Sequence, residues 1–565
     1  MKTARKIVLL LSSVILFILL ANAKTFLLLL YGIIGILVGL QLGSIDWEKK
    51  RIKPVWLIIV ILISGYAAYK AGRVFYITWQ PSSMVKAILS RITADTDPLL
   101  NVLCHCAAAA AFPAVFALTR LLFDYLWKLI PILHKEYSGK PLISSRSAFV
   151  KSAGIVILNL FAAVVLGVVL LTAAYSLPSK NIGKNAKKSA EILQPESSYP
   201  ILFSWCTSKL DNQTDALMLA EAADDSDSSA LETALMAYRG EIEGGGIFHS
   251  FVSHYISGAE YTDRVSYSRY WHGYHLFLNP LLEIMDYGGI RILNSIIQFL
   301  LVILVSVLLA KRNAGLFTLP YIFTYLMLNP LVLGKSMQFS SCFYLFTFGI
   351  ITLLMLPDGN RSKYAFLVFL NIGICTAYFD FLTYPIAAFG IPAVLYIVLL
   401  GTERDSLERK LNGLIRCGVT WCVGYGGMWA SKWLVTYLIT GYNTFAEAEE
   451  AFSHHTTNTT GLGSTFSNST CIALNYGAFL FTPISILCVV FIVYLIRKIK
   501  ASGLADSNEM ISVIFPYALL ALAPVVWYIF ATQHSIYYFM TNKACSVTLM
   551  AILCCLADLR SRRIQ

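Results

Sequence analysis

Residues 289–310 read "GIRILNSIIQFLLVILVSVLLA". At 1.5 Å per residue, a helix of this length crosses the hydrocarbon core of a bilayer, about 30 Å thick. Similar runs recur along nearly the whole 565-residue chain. The composition agrees. It is 57% hydrophobic and 13% charged, with a mean hydropathy of +0.66, whereas soluble domains carry roughly 25% charged residues. A membrane barrel would instead show short alternating segments. The sequence therefore predicts an all-α polytopic membrane protein.

About fourteen transmembrane helices are expected, near 7–22, 25–43, 54–72, 99–121, 152–177, 289–310, 315–333, 338–356, 364–383, 385–401, 417–440, 472–496, 512–532 and 536–557. The first also fits a signal peptide, with Ala21-Asn22-Ala23 as a small-residue cleavage site. An uncleaved span is favoured because a second apolar run begins at once. With the amino terminus inside, basic clusters such as "WEKKRIK", "AKRN" and "RKIK" all face the cytoplasm, as the positive-inside rule requires. That rule accounts for the net charge of +12 without a nucleic-acid partner. Membrane lipids are the expected surroundings.

Three regions follow: amino-terminal helices (1–177), a large extracytoplasmic loop between the fifth and sixth spans (178–288), and carboxyl-terminal helices (289–565). The loop is too long for a mere connection. Its stretch "TDALMLAEAADDSDSSALETALMAYRG" is helix-like, which predicts a cap with one or two helices at the interface. Most of the twelve cysteines lie in apolar runs, where Cys behaves as a small hydrophobe. Cys206 and Cys471 fall in predicted outer loops, where they are able to pair. Asn212, Asn458 and Asn468 open N-glycosylation sequons.

Four polar constellations carry the candidate chemistry. In "SKLDNQTDALML", Asp211 and Asp215 share a helix face. They serve either as N-cap and dipole partner or as a general base or metal ligand. In "YTDRVSYSRYWHGYHLFLNPL" (261–281), Arg264, Arg269 and His272 offer donors suited to phosphate. Aromatic belting at headgroup level accounts for Tyr270, Trp271 and Tyr274. In "AYFDFLTYP", Asp380 lies near the outer end of a span, and an ionisable group there is a functional hypothesis by default. Lys335 and Lys432 are possible cationic partners, although Lys432 also fits a snorkelling role. In "WYIFATQHSIYYFMTNKA", His534 sits in the turn between the last two spans. His454 and His455 are set aside, because nothing in sequence fixes their loop.

The pieces "LDNQTDALML", "RYWHGYHLFLNPLL", "YFDFLTYP" and "QHSIYYFMTNK" resemble the GT-C superfamily of membrane glycosyltransferases, in particular bacterial cell-surface members of the O-antigen type. The resemblance covers about residues 200–545. The family's acidic residue usually follows the first span, whereas here the acidic loop follows about five. The resemblance implies transfer of a sugar from a polyprenyl-phosphate donor to a cell-surface glycan or lipid-linked acceptor, at the outer face of a bacterial plasma membrane. It implies inversion at the anomeric carbon. Asp211 is the first choice of base and Asp215 the second. Arg264, Arg269, His272, Lys335, Asp380 and His534 bind substrate or phosphate. No cofactor is required, although Asp211 and Asp215 leave room for a divalent metal. The rival readings are a flippase or transporter of lipid-linked glycan, a polysaccharide polymerase or ligase, and a structural subunit of an assembly complex.

Overall fold

The structure is a computed structural model. It describes residues 129, 132, 146–203, 206–225, 227–357, 360–380, 383–402, 406–447, 449, 468–501 and 507–561. The four expected spans before residue 122 lie outside these residues, as do His454, His455 and Asn458.

In chain order the helices begin with α1 (Arg146–Tyr175), α2 (Ser179–Glu196), α3 (Asn212–Ala222) and α4 (Ala230–Met236). Strand β1 (Arg239–Glu241), α5 (Gly246–Ser257), β2 (Asp263–Val265) and α6 (His275–Ile284) follow. Next come α7 (Tyr287–Lys311), α8 (Thr318–Met327), α9 (Pro330–Lys335), α10 (Met337–Met355), α11 (Arg361–Phe379), α12 (Pro385–Thr402) and α13 (Leu407–Thr440). The last are α14 (Asn468–Leu480), α15 (Ile484–Ala501), α16 (Ser507–Ala521), α17 (Ala523–Phe530), α18 (Tyr538–Thr541) and α19 (Ser546–Ser561). Two compact units result. One comprises Met1–Glu136, Asn458–Ser512 and His534–Tyr538, and the other holds the remainder.

Among the described residues, six helical stretches are long and apolar enough to cross a membrane: Val150–Tyr175, Tyr287–Lys311, Met337–Met355, Arg361–Phe379, Met510–Phe530 and Tyr538–Ser561. Each matches an expected span to within a few residues. Four other expectations are modified. The run 315–333 breaks into α8 and α9, because Asn329 adopts a left-handed φ of 61° and Pro330 lacks an N–H to continue the ladder. The run 385–401 is the buried α12, whose apolar part is shorter than the six. The run 417–440 lies within the continuous 34-residue α13, which is richer in charged and small residues. The run 472–496 is two helices bent by 88°. They part at Thr482-Pro483, where Pro483 again removes a donor.

In the smaller unit, Asn475 Nδ2 donates to the carbonyl of His534 at 3.2 Å and to that of Cys471 at 2.9 Å. The side chain thus ties α14 to the short turn that holds His534.

In the larger unit, α2 to α6 form a layer with its own core. Helix α2 is amphipathic. Ile182, Ala186, Ala190 and Leu193 recur at helical spacing and are buried, while Lys180, Lys184, Lys187 and Lys188 are exposed. The apolar stripe packs on Ala216, Met218 and Leu219 of α3, Phe251 of α5, and Leu278 and Leu282 of α6. The core runs on into Tyr287 and Ile290 of α7. Strands β1 and β2 are antiparallel, with Gly240 opposite Arg264.

The stretch 267–275 joins this cap to helices α11 and α13. Trp271 is fully buried, and its Nε1–H donates to Met428 O on α13 at 2.7 Å. Trp429 and Trp433 of α13 donate back to Arg269 O at 3.0 and 3.1 Å. Gly273 N donates to Tyr378 O of α11 at 2.8 Å. A Cβ at Gly273 would run into Tyr378. Tyr270, Trp271 and Tyr274 are therefore not a headgroup belt, because all three are buried in this joint. Lys432 does not snorkel either. Its Nζ donates to the carbonyls of Ala234 at 3.3 Å and Leu235 at 2.7 Å, in the last turn of α4, where a cation meets the negative end of the helix dipole.

Helices α11 and α13 approach backbone to backbone at paired glycines, the contact that small residues allow in membranes. A Cβ at Gly373 would lie 2.9 Å from Tyr425 N and closer still to Trp421 O. One at Gly424 would lie 3.1 Å from Ile374 N and closer to Leu370 O. Backbone cannot rotate aside as a side chain does. Gly373→Val is expected to cost about 1–3 kcal/mol or more, read as a lower thermal midpoint in detergent micelles. An unchanged midpoint would show that the crossing is loose.

Candidate functional site

Helix α3 is the axis of the polar region. It presents Asp211 and Asp215 at one end and Glu221 at the other, all three fully buried.

Asp211 is the N-cap. Its Oδ1 accepts from Thr214 N at 3.1 Å and its Oδ2 from Thr214 Oγ1 at 2.7 Å. Burial pushes its carboxyl up to about 6, against the hydrogen bonds from Thr214. Asp215 reaches the start of α10. Its Oδ1 accepts from Gln338 N at 3.1 Å, and its Oδ2 contacts the Tyr287 hydroxyl. That hydroxyl also faces Lys335 O at 2.9 Å. One phenolic proton cannot serve both oxygens. A proton on Asp215 resolves the conflict: the carboxyl donates to Tyr287, which donates to Lys335 O. Burial pushes Asp215 up to about 7, with the Tyr287 bond opposing it, consistent with that count.

Beside this pair, Arg291 of α7 forms a two-pronged ion pair with Glu196 at 2.7 and 2.9 Å. It also donates to Asn212 Oδ1 at 3.0 Å and to Lys335 O at 2.7 Å. Burial would raise the Glu196 carboxyl, but the bond and charge of Arg291 hold it below its ordinary value. Asn212 is buried and also donates to Glu196 and to Ser197 O, so it is closed to glycosylation in the folded protein.

At the far end of α3, Glu221 Oε2 lies 2.5 Å from Tyr274 Oη, 3.0 Å from His272 Nδ1 and 3.2 Å from His275 Nε2. Burial alone would raise this carboxyl. The charges and hydrogen bonds of His272 and His275 overcome it and hold Glu221 at about 2. His272 Nε2 lies 2.7 Å from Tyr267 O, a pure acceptor, so that nitrogen carries a proton. Burial pushes the His272 imidazole down, with Glu221 opposing. The residue has φ 55°, a left-handed conformation uncommon outside glycine, and these bonds hold it there. Asn279 Nδ2 donates to Ala174 O at 3.2 Å, which aims its Oδ1 at His275 Nδ1 at 2.8 Å.

The separately predicted acids converge. Gln338, whose backbone N–H holds Asp215, donates through its side chain to Thr383 Oγ1 at 2.6 Å. Thr383 N in turn donates to Asp380 Oδ2 at 3.0 Å. Two residues thus link "LDNQTDALML" to "YFDFLTYP", and α3 also carries the acid that grips His272. Arg269 lies near His272, with its guanidinium 4.4 Å from the Tyr267 ring. It pairs with Glu447 at 2.9 Å.

The other candidates have different surroundings. Arg264 is exposed on the cap, paired with Asp224 at 2.6 Å and stacked 3.7 Å over Tyr238. Lys335 is exposed at the end of α9 and contributes its carbonyl rather than its ammonium. His534 belongs to the smaller unit. Cys206 and Cys471 are thiols rather than a disulfide. Among the described residues, no three His, Cys, Asp or Glu side chains are grouped to hold a metal.

Glu221, Arg291, Glu196 and Glu447 were not anticipated. The signal for the first two was present: an acid inside "ALMLAEA" and a cation three residues into a span.

Compared with known proteins, the chain matches no family model, no curated protein and no solved structure.

Proposed function

We propose that the chain is a polytopic membrane glycosyltransferase of GT-C type, taking a sugar from a polyprenyl-phosphate donor. The supporting observation is the hydrogen-bonded path Asp215–Gln338–Thr383–Asp380, with Arg269 and Asp380 both bearing electrostatically on Tyr270. In this reading the base role moves from Asp211 to Asp380, because both Asp211 oxygens bond Thr214. Asp380 takes the acceptor hydroxyl's proton as that oxygen attacks the anomeric carbon. The lipid phosphate leaves with the bonding electron pair. Arg269 stabilises its developing charge, with the guanidinium aimed by Glu447 and the tyrosine rings. Asp211 and Asp215 hold the frame. In the same proposal about fourteen spans place residues 178–288 outside a bacterial plasma membrane, and the acceptor is a surface glycan or lipid-linked saccharide.

Sugar transfer from a labelled polyprenyl-phosphate donor in proteoliposomes tests this. Asp380→Asn is expected to lower the rate about 100- to 10,000-fold, the usual contribution of a general base. Arg269→Met is expected to lower it about 100-fold. Rates near that of the unmodified protein in both variants, with folding intact, would remove the reading.

A further inference from the structure

Lys543 lies on the tight turn Asn542–Cys545, a few residues into the Tyr538–Ser561 stretch. It is 1% exposed, yet among the described residues its Nζ has no hydrogen-bond partner. Its Nζ lies 3.9 Å from the centre of the Phe339 ring. A buried ammonium without a hydrogen-bond acceptor is costly in a folded protein.

The surroundings are specific. The ionisable groups whose fields reach Lys543 are Cys206 and Asp211. Burial pushes the Cys206 thiol up to about 11, so it brings no negative charge. Asp211 has both oxygens on Thr214. A second ammonium, Lys209, bears on the same two groups. It stands 4.2 Å over Phe539 and 4.9 Å over Tyr199. Three buried hydroxyls on the same segments have no hydrogen-bond partner among the described residues: Thr207 Oγ1 beside Cys206, Ser336 Oγ one turn before Phe339, and Ser546 Oγ one turn after Lys543. Two cations and three unpartnered hydroxyls thus lie on the segments around Phe339 and Phe539, and the one carboxylate in reach, Asp211, already has both oxygens bonded by Thr214.

We infer that Lys543, with Lys209 and the hydroxyls of Thr207, Ser336 and Ser546, forms a binding site for a phosphate group. Lysine is a point-charge phosphate binder that needs no fixed approach, and hydroxyls complete a tetrahedral oxyanion's shell. The phosphate comes either from a lipid headgroup, whose depth a residue at the start of a membrane span matches, or from free phosphate. Only the lipid source rests on the transferase reading.

The test uses the full chain in phosphatidylcholine nanodiscs, with two labelled probes: inorganic phosphate and a polyprenyl phosphate. The unmodified protein is expected to bind at least one. Binding of the lipid probe alone assigns a headgroup site, and binding of both assigns a site for the bare anion. Lys543→Met is expected to weaken binding about 30-fold and Lys209→Ala about 5-fold. Equal affinity in Lys543→Met, or no binding of either probe, overturns the site. A folding defect in the variant leaves a direct readout on the unmodified protein. Bound probe is expected to slow maleimide labelling of Cys206, followed by peptide mapping, and an unchanged rate overturns the proposal. Phosphate binding lost in Lys543→Met without sugar transfer from any donor keeps the site and removes the transferase. Sugar transfer without phosphate binding does the reverse.

Discussion

Glu221→Ala is expected to destabilise the cap by about 3–5 kcal/mol, the cost of removing one partner from a buried charged cluster. Three groups face the lost carboxylate: the Tyr274 hydroxyl and the imidazoles of His272 and His275. None is exposed, so water cannot replace the carboxylate without opening the cap. Left-handed His272 would lose one of the contacts that hold it. Trp271 is its chain neighbour and is fully buried, so tryptophan fluorescence during thermal or urea unfolding reports the change. A loss below about 1 kcal/mol, the size of an ordinary neutral hydrogen bond, would mean that the cluster is not under this carboxylate's control.

The cluster also sets an acid limit. A carboxylate held at about 2 in the fold, against an ordinary 4.5, adds stability above pH 4.5. That stability fades as pH falls toward 2. Asp215 has the opposite sign. With its carboxyl raised to about 7 from 3.8, its environment favours the protonated form. The fold is then most stable at low pH with respect to this group, and loses stability as pH rises from 3.8 through 7. The rising window ends at about pH 4.5 and the falling one begins at about 3.8, so the optimum is expected between these two values. Asp215→Asn should make the alkaline side shallower, the remaining slope coming from Asp211, whose carboxyl is raised to about 6.

Arg291→Met carries the second large expected effect, about 3–5 kcal/mol. The guanidinium serves Glu196, Asn212 and the Lys335 carbonyl together. Methionine fills similar volume on Tyr287 but offers no donor, so the whole set is stranded at once. The partners are unequal. Arg291's side chain is 9% exposed and that of Glu196 is 29%. Glu196 can therefore recover water, and removing the acid should strand a deeper charge than removing the base. A double-mutant cycle with Glu196→Gln, followed by thermal midpoints in detergent, should show strong coupling. Additive losses would mean that the pair is incidental.

Apolar length was the legible part of this fold. Six expected spans coincide with helices because an apolar run of that length has one economical structure in lipid. The breaks at Asn329-Pro330 and Thr482-Pro483 were written in the sequence as turn-forming pairs, but the apolar residues around them masked the signal. The site was legible as far as residue type. Asp211, Asp215, His272 and Asp380 were singled out, and all but Asp211 fall on shared hydrogen-bond chains built around α3. Their partners were not legible, since Gln338, Thr383 and Glu447 are unremarkable until folding brings them in. The aromatics of 267–275 misled for a related reason. A tryptophan at a span's edge looks the same in sequence whether it meets lipid headgroups or another helix.

Lys432 closes the end of α4 from a position 198 residues further along the chain. During synthesis, α4 therefore leaves the ribosome long before its terminal carbonyls have a cation to receive them. The cap must wait, incompletely anchored, until α13 has been made and packs against it. A nascent chain stalled before that helix should be cut readily by protease within 226–240, and one stalled beyond it should resist. Assembly of this part of the molecule is thus timed by the arrival of one late lysine.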